Sequence, residues 1–556
     1  MLKNKSTLFK IIVLLIALIS LNWVGGYIYK RFDLTQNKRY TLSQSALATV
    51  KDVKSPLIVD VFLEGNFPSE FRRLRNETEQ LLEEFAIDND HIIFNFINPL
   101  ADEKSRNANI EQLVERGLEP LQLSVNANGK TSQELIFPWA LASYNDQTVK
   151  IPLIKNKIGA SQQELVTNSI QHLEYAFAEG FQKLVTPKSK KIAILKGNGQ
   201  LGDVYLADIL QTIKEHYFIA PFTLDSVATN AVGTLSKLKT FDLIISAKPT
   251  QAFSEEEKLV LDQYTMNGGK SLWLTESILM DKDSLYNDEG RGIAMRNELN
   301  LNDFFFSYGV RINPVMVSDL YSAPITIAIG EGSNAQFQPL KWPYSPLAAG
   351  NPEHPITSNL NLVKFDFASQ IDTLVSSTQK TILLQSSKLS KLEGVPKEIS
   401  LEIVTEDQDP TTFTKGPQTL AVLLEGEFTS AYKNRIKPFN NSTHKDSSPI
   451  TKMIVIADGD IIKNDVIKNK PQELGFDRWT GQSFGNKEFL INSVNYLLND
   501  DGLLDVRTKD INIAFLDPET TIETKTQWQI ITIALPLVIL VIFGVLFNFI
   551  RRKKYA

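Results

Sequence analysis

The sequence predicts an α/β protein enclosed between two membrane-spanning helices. Three observations carry the prediction: an uncharged apolar run near each end, strand-length apolar runs alternating with amphipathic helix patterns between them, and a stretch over 300–450 that changes to short β-prone pieces split by proline and glycine. At 556 residues the chain exceeds a single domain, and a prior of roughly 150 residues each gives three or four. There are no cysteines, which excludes disulfides, thiolate catalysis and cysteine-ligated zinc or iron–sulfur sites. The five histidines, His91, His172, His216, His354 and His444, form no HxH or HxxxH pair, so no histidine metal site is expected.

The first apolar run, Ile11 to Tyr29, holds 19 uncharged residues, enough to cover a hydrocarbon core of ~30 Å. Trp23, Tyr27 and Tyr29 gather at its outer end as an interfacial belt would. No small-x-small cleavage site follows it, so it reads as an anchor and not as a cleaved signal. The second run, Trp528 to Ile550, stops at Arg551-Arg552-Lys553-Lys554, which orients it with the C-terminus inside. With two spans the N-terminus must be inside too. The expectation is therefore an inner-membrane, two-pass protein, with residues 31–527 periplasmic and both tips, 1–30 and 551–556, beginning or ending in the cytoplasm. Residues 1–10 and 551–556 carry seven Lys/Arg and no acid, so the net charge of −6 leaves −13 for residues 11–550. Such an acidic ectodomain is not a nucleic-acid binder.

Within the ectodomain, residues 31–185 read as one domain. Ser43 or Thr41 caps a short helix, and Pro56–Leu63 and His91–Ile97 are strands separated by an amphipathic helix over Ser69–Ala86. A helix over Asn107–Arg116 follows, then Glu119-Pro120 and strands over Leu121–Val125, Glu134–Ser143 and Val149–Ile154. This β-α-β-α-Pro-β-β order resembles a thioredoxin-like domain, without the redox CxxC. Ser161–Leu184 reads as one long helix opened by a Ser161/Glu164 capping box.

Residues 186–505 read as a larger α/β domain with a mostly parallel sheet. Strands fall at Ile192–Leu195, Phe241–Ser246 and Ser271–Leu274, and helices at Val204–Tyr217 and Ser254–Met266. The β-rich 300–450 stretch is an insertion or extension. Met453–Ala457 and Asn486–Leu498 then supply a strand and a helix that return to the same sheet. Residues 506–527 read as a stalk to the second span.

Two constellations hint at chemistry. Gly197, Gly199 and Gly202 match G-x-G-x-x-G between a strand and a helix, with Asp225 at a ribose-binding distance beyond. This suggests a dinucleotide cofactor, although a tight strand-to-helix turn explains the glycines without one. Asp458 and Asp460, with Asn464 and Asp465, cluster oxygen donors just after a strand, as a Ca²⁺ or Mg²⁺ site or a polar turn would. Gly481-Gln-Ser483-Phe-Gly485 matches a nucleophile elbow literally, but no histidine follows Ser483. From the residues alone no cofactor is expected.

Several segments together resemble the GldG family of gliding-motility-associated ABC-transporter auxiliary proteins: RFDLTQNKRYTLS (31–43), NSIQHLEYAF (168–177), WPYSPL with HPITSNL (342–360), and MIVIADGDIIKND with GFDRWTGQSFGNKEFLINSVNYLLND (453–500). The resemblance runs along nearly the whole chain. It implies a non-catalytic subunit working with a polytopic ABC permease and a cytoplasmic ATPase, in the lipid bilayer and among gliding or envelope proteins. It also implies a glutamine-amidotransferase-like α/β region, whose catalytic cysteine this sequence lacks.

Overall fold

The computed structural model describes residues 9, 13–23, 41–65, 67–127, 130–330, 336–498, 502–508 and 518–555. The chain divides into a compact unit over residues 1–510 and a second unit over 511–556. Helix α1 covers Val13–Trp23; the rest of the expected span to Tyr29 lies outside the described residues.

The first part of the compact unit opens with α2 (Gln44–Lys51), whose Ser43 cap accepts from the Ala46 amide. Strand β1 (Leu57–Val61), α3 (Ser69–Asp88), β2 (Ile92–Phe96) and α4 (Arg106–Glu115) follow. After them come β3 (Leu121–Ala127), β4 (Lys130–Ile136), β5 (Trp139–Tyr144), β6 (Gln147–Pro152) and α5 (Gln162–Val185). The sheet runs β2-β1-β5-β6, with β1 parallel to β2 and antiparallel to β5. Two expectations need correction. The strand after Glu119-Pro120, β3, pairs with β4 in a separate ribbon, and the run read as one strand over 134–143 breaks at Phe137-Pro138. Pro138 has no N–H to continue a ladder, so β4 ends there and β5 starts afresh beside β1. Leu57, Val59 and Val61 are fully buried, and Phe85 of α3 meets Phe181 of α5 edge to face at 5.2 Å.

The second part alternates β7 (Lys191–Lys196), α6 (Ala207–Lys214), β8 (Phe218–Thr223), α7 (Val227–Leu238), β9 (Leu243–Ala247), α8 (Glu255–Met266) and β10 (Lys270–Leu274). Strands β11 (Ile278–Leu279) and β12 (Arg291–Arg296), helix α9 (Asn302–Tyr308), and β13 (Val310–Asp319), β14 (Ser322–Ile329) and β15 (Gln336–Gly350) come next. Then follow β16 (Val363–Lys364), β17 (Ser369–Thr373), β18 (Gln379–Gln385), β19 (Ser390–Gly394), β20 (Lys397–Ser400), β21 (Thr419–Thr429), β22 (Ser447–Ile456) and α10 (Asn486–Leu498).

One sheet joins the two halves of this part, in the order β14-β15-β18-β21-β22-β10-β9-β7-β8. The segment from β22 to β8 is parallel. From β22 through β21 and β18 to β14 the pairing is antiparallel, so the β-rich stretch extends the sheet sideways. Alternate side chains of the parallel strands go to opposite faces, and both faces are covered. Ile192, Ile245 and Ile454 pack under α6 and α10, while Leu195, Trp273 and Val455 pack under α7, α8 and α9. Sequence reading missed β8 and α7. β8 is a half-exposed edge strand containing Pro221, and α7 is kinked at Asn230, so neither shows a clean period.

The second unit is α11 (Pro518–Tyr555). Its Glu523–Lys553 stretch is long and apolar enough to cross a membrane. Pro518 starts the helix, where its missing N–H costs nothing, so 518–527 of the expected stalk are helical. Residues 506–508, also assigned to the stalk, instead belong to a 3₁₀ turn, Leu503–Thr508, whose Arg507 is buried in the compact unit.

Candidate functional site

In an open parallel sheet the loops at the carboxyl ends of the strands converge, and ligands bind among them. Here those loops carry charge that is almost wholly buried. Lys248 follows β9, Glu276 follows β10, and Asp458 and Asp460 follow β22. Carboxylate oxygens of Glu276, Asp458 and Asp460 lie within 4.8 Å of one another. The Lys248 ammonium enters this group, 2.6 Å from Asp460 Oδ1 and 3.3 Å from Glu276 Oε1. Lys248 has a left-handed backbone (φ 51°), a strained choice for a residue with a side chain. A Cβ on Gly459 would stand 2.5 Å from Lys248 Cβ, so only glycine fits there.

The carboxylates also fasten the loops together. Asp458 Oδ2 accepts from the Asp366 amide and Oδ1 from the Asp460 amide, both at 2.7 Å, and Glu276 Oε1 accepts from the Gly459 amide at 3.1 Å. Burial, with Asp460 beside them, pushes the Glu276 and Asp458 carboxyls well above the usual range. Burial alone would lower the Lys248 ammonium, but Glu276 and Asp460 outweigh it and raise it. The three oxygen ligands suit a hard cation, yet the ammonium already supplies that charge, and a metal would have to displace it. Asn464 is not in this group. Its amide donates to the Val204 and Asp465 carbonyls and its oxygen accepts from the Asp208 amide, tying the loop to α6.

Gly197–Gly202 lies at the end of β7 and is folded down onto the β9–α8 connection. The Asn198 carbonyl accepts from the Thr250 and Gln251 amides (3.1 and 3.0 Å), and Leu201 donates to the Ala247 carbonyl at 3.1 Å. A Cβ on Gly199 would stand 2.2 Å from Thr250 Oγ1, and one on Gly197 would stand 3.1 Å from Asp225 Oδ1. Both glycines have positive φ. Packing against the chain's own loops thus accounts for Gly197 and Gly199, and places Asp225 against the turn. A 3₁₀ turn, Asp203–Tyr205, separates Gly202 from α6, so the loop does not open directly onto a long helix N-terminus. Ser483 sits on an exposed two-residue strand, where its carbonyl accepts from Asn361 Nδ2 at 2.7 Å.

Beside the buried cluster lies a cavity of about 800 Å³. Asp366, Asp460, Lys282, Lys364 and Lys463 line its polar side. Lys282 and Lys364 share Asp366 Oδ2, at 3.6 and 3.3 Å, and Ser345 donates to the other oxygen. Burial would raise the Asp366 carboxyl, but the two ammoniums overcome it and hold the group well below the usual range. Lys463 pairs with Asp283 at 3.2 Å and Asp281 at 3.5 Å. Tyr205, Tyr286, Phe337 and Trp479 also line it, and the last two stack at 4.4 Å, joining β15 to the 476–483 hairpin. Sequence reading found Asp458 and Asp460. It missed Lys248, Glu276, Lys282, Lys364 and Asp366, which come from separate loops and carry no local motif.

Comparison with known proteins adds the family. No curated protein matches the chain. Two solved structures align at low similarity. The mmIFT52 N-terminal domain has 13% identity over 58% of this chain and 100% of that one, with a TM-score of 0.33. A ThuA-like protein from Parabacteroides merdae has 12% identity over 56% and 90%, with a TM-score of 0.27. Residues 36–143 match a domain of unknown function, DUF7088, and residues 189–493 match the family described as an ABC-type uncharacterized transport system. The second match spans more than half of the chain, which therefore belongs to that family of ABC-transporter auxiliary proteins.

Proposed function

We propose that this protein is a non-catalytic, membrane-anchored, periplasmic-facing subunit of an ABC transporter, holding substrate or a partner protein in the cavity at the carboxyl edge of its sheet. A polytopic permease and a separate cytoplasmic ATPase would complete the complex. The observation that carries this reading is the cavity itself. It is large enough for a ligand of ~300–1,000 Å³ pockets, and its lining mixes aromatic rings with lysines already held by carboxylates. Lysines so held suit binding better than proton transfer or nucleophilic attack. The Arg551–Lys554 run beside the apolar helix supports a cytoplasmic C-terminus, and two-pass anchoring follows if residues 11–29 span as well. The β2-β1-β5-β6 order supports a thioredoxin-like scaffold, and the parallel sheet an amidotransferase-like one. The resemblance to the GldG family supports a place in gliding motility. The enzymatic alternative, a cofactor on Gly197–Gly202, gains nothing from a loop filled by Thr250 and Gln251.

Purification of the tagged chain in mild detergent, followed by mass spectrometry and an ATPase assay, tests the complex. Recovery of a multi-span protein with a nucleotide-hydrolysing subunit is expected, and a stable chain recovered alone would refute it. A strain lacking the chain should lose surface gliding; one that glides normally would remove the gliding assignment.

A further inference from the structure

Arg507 lies where the chain leaves the compact unit on its way to α11. Its side chain is 1% exposed, and both terminal nitrogens of the guanidinium are hydrogen-bonded. Nη1 donates to Asn492 Oδ1 at 3.0 Å, and Nη2 donates to the Ser358 carbonyl at 3.0 Å and to Glu488 Oε1 at 2.6 Å. Ser358 Oγ returns a bond to the Arg507 carbonyl at 3.0 Å, and the guanidinium lies 5.1 Å from the Tyr175 ring of α5. Lys155 pairs with the same oxygen of Glu488.

The partners of Arg507 lead to the cavity. Glu488 belongs to the first turn of α10, and that turn opens with Asn486. Asn486 Oδ1 accepts from the Lys364 amide at 2.9 Å and its Nδ2 donates to the Lys364 carbonyl at 2.8 Å, so the helix start grips both backbone groups of a cavity-wall lysine. Lys487, between them, pairs with Asp208 of α6 at 2.9 Å. A residue at the start of α2 reaches the same part of α5. The Ser43 amide, ahead of α2, donates to Glu174 Oε1 at 2.6 Å, and Glu174 immediately precedes Tyr175. Ser43 and Arg507 thus bear on successive residues of α5, and the contacts of Arg507 continue through α10 to the cavity.

We infer that Arg507 and the first turn of α10 form a joint through which occupancy of the cavity and the state of the C-terminal tether regulate one another. The inference rests on the reading of the cavity as a binding site. A hydrophobic residue would fill this space without the desolvation cost of a buried guanidinium. What the arginine adds is simultaneous, geometrically fixed contact with α10, the Ser358 loop and α5. Energetic coupling requires such a contiguous set of contacts, and linkage makes the effect reciprocal.

Hydrogen exchange of the full-length chain in detergent, read by mass spectrometry, tests the joint by comparing the wild type with Arg507→Gln. The expected result is exchange faster by about tenfold or more in peptides over 362–367 and 486–490 as well as 502–508, with β7 and β9 unchanged. Should the glutamine variant fail to fold, Arg507→Lys keeps the charge opposite Glu488 and should show the same pattern at smaller amplitude. An increase confined to 502–508 and α5 would reduce Arg507 to a local anchor, and a uniform increase would mean general destabilisation; either overturns the joint. The measurement needs no partner, so it succeeds or fails independently of whether a permease and ATPase co-purify.

Discussion

Lys248 shows what one residue does in this protein. Three buried carboxylates cannot all be ionised in a low-dielectric interior without a counter-charge, and the ammonium provides it at 2.6 and 3.3 Å. Lys248→Met should therefore destabilise the compact unit by roughly 3 kcal/mol or more at neutral pH. The deficit should be largest at high pH, where the acids are most ionised, and should shrink as falling pH protonates Glu276 and Asp458. Urea unfolding at pH 8 and pH 5 measures this, and an equal deficit at both would count against a charge-based role. Asp458 and Asp460 were visible as a pair in sequence, but their meaning was not. Lys248 and Glu276 are separated from them by some two hundred positions, and only adjacent strand ends bring the four together.

At the scale of elements, legibility followed burial and capping. Buried runs such as β9 and residues 453–456 of β22, and helices with a capping signal, show in the residues alone. The box that opens α5 is present in both halves: Glu164 N donates to Ser161 Oγ at 3.3 Å, and Ser161 N donates to Glu164 Oε2 at 2.8 Å. Ser161→Ala should cost ~1 kcal/mol, whereas Ser161→Gly should cost only a few tenths. Thermal unfolding of the two variants side by side distinguishes lost capping from any other role of the position. β8 escaped because an edge strand buries one face at most, and the separation of the β3–β4 ribbon from the main sheet escaped because pairing between strands is not a local property.

For the whole molecule, buried ionisable groups dictate how stability varies with pH. Burial, with Lys183 near the first and Lys452 near the second, lowers His216 and His354 from 6.5 to about 4. Burial likewise takes His172 well below 6.5. Because these folded-state values are depressed, the unfolded chain takes up protons first. Their contribution is then full above pH 6.5 and falls as pH drops toward 4, by at most about 3 kcal/mol for each fully shifted histidine, while the raised Glu276 and Asp458 carboxyls contribute with the opposite sign. Glu488 extends the loss. Burial would raise it, but Lys155 and Arg507 lower it from 4.5 to about 2, so its contribution disappears between those values. The difference in urea midpoint between the wild type and a His216→Gln, His354→Gln variant isolates the histidine share: it should change as pH falls below 6.5, and a difference that stays constant from pH 8 down to pH 4 would contradict it.

The sequence by itself determined the apolar runs at the two ends, the alternation of strands and helices, the long capped helix and the absence of thiol chemistry. These rest on composition, length and short-range period, which neighbouring residues define. Only the tertiary structure decided that the β-rich stretch continues the main sheet, that Gly199 packs against Thr250 and Gln251, and that Val506 and Arg507 are buried in the core. It alone brought Asp366 between Lys282 and Lys364 and set Arg507 on α10. Each of these depends on contacts between residues far apart in the chain, and such contacts arise from strand order and packing, which no local pattern encodes.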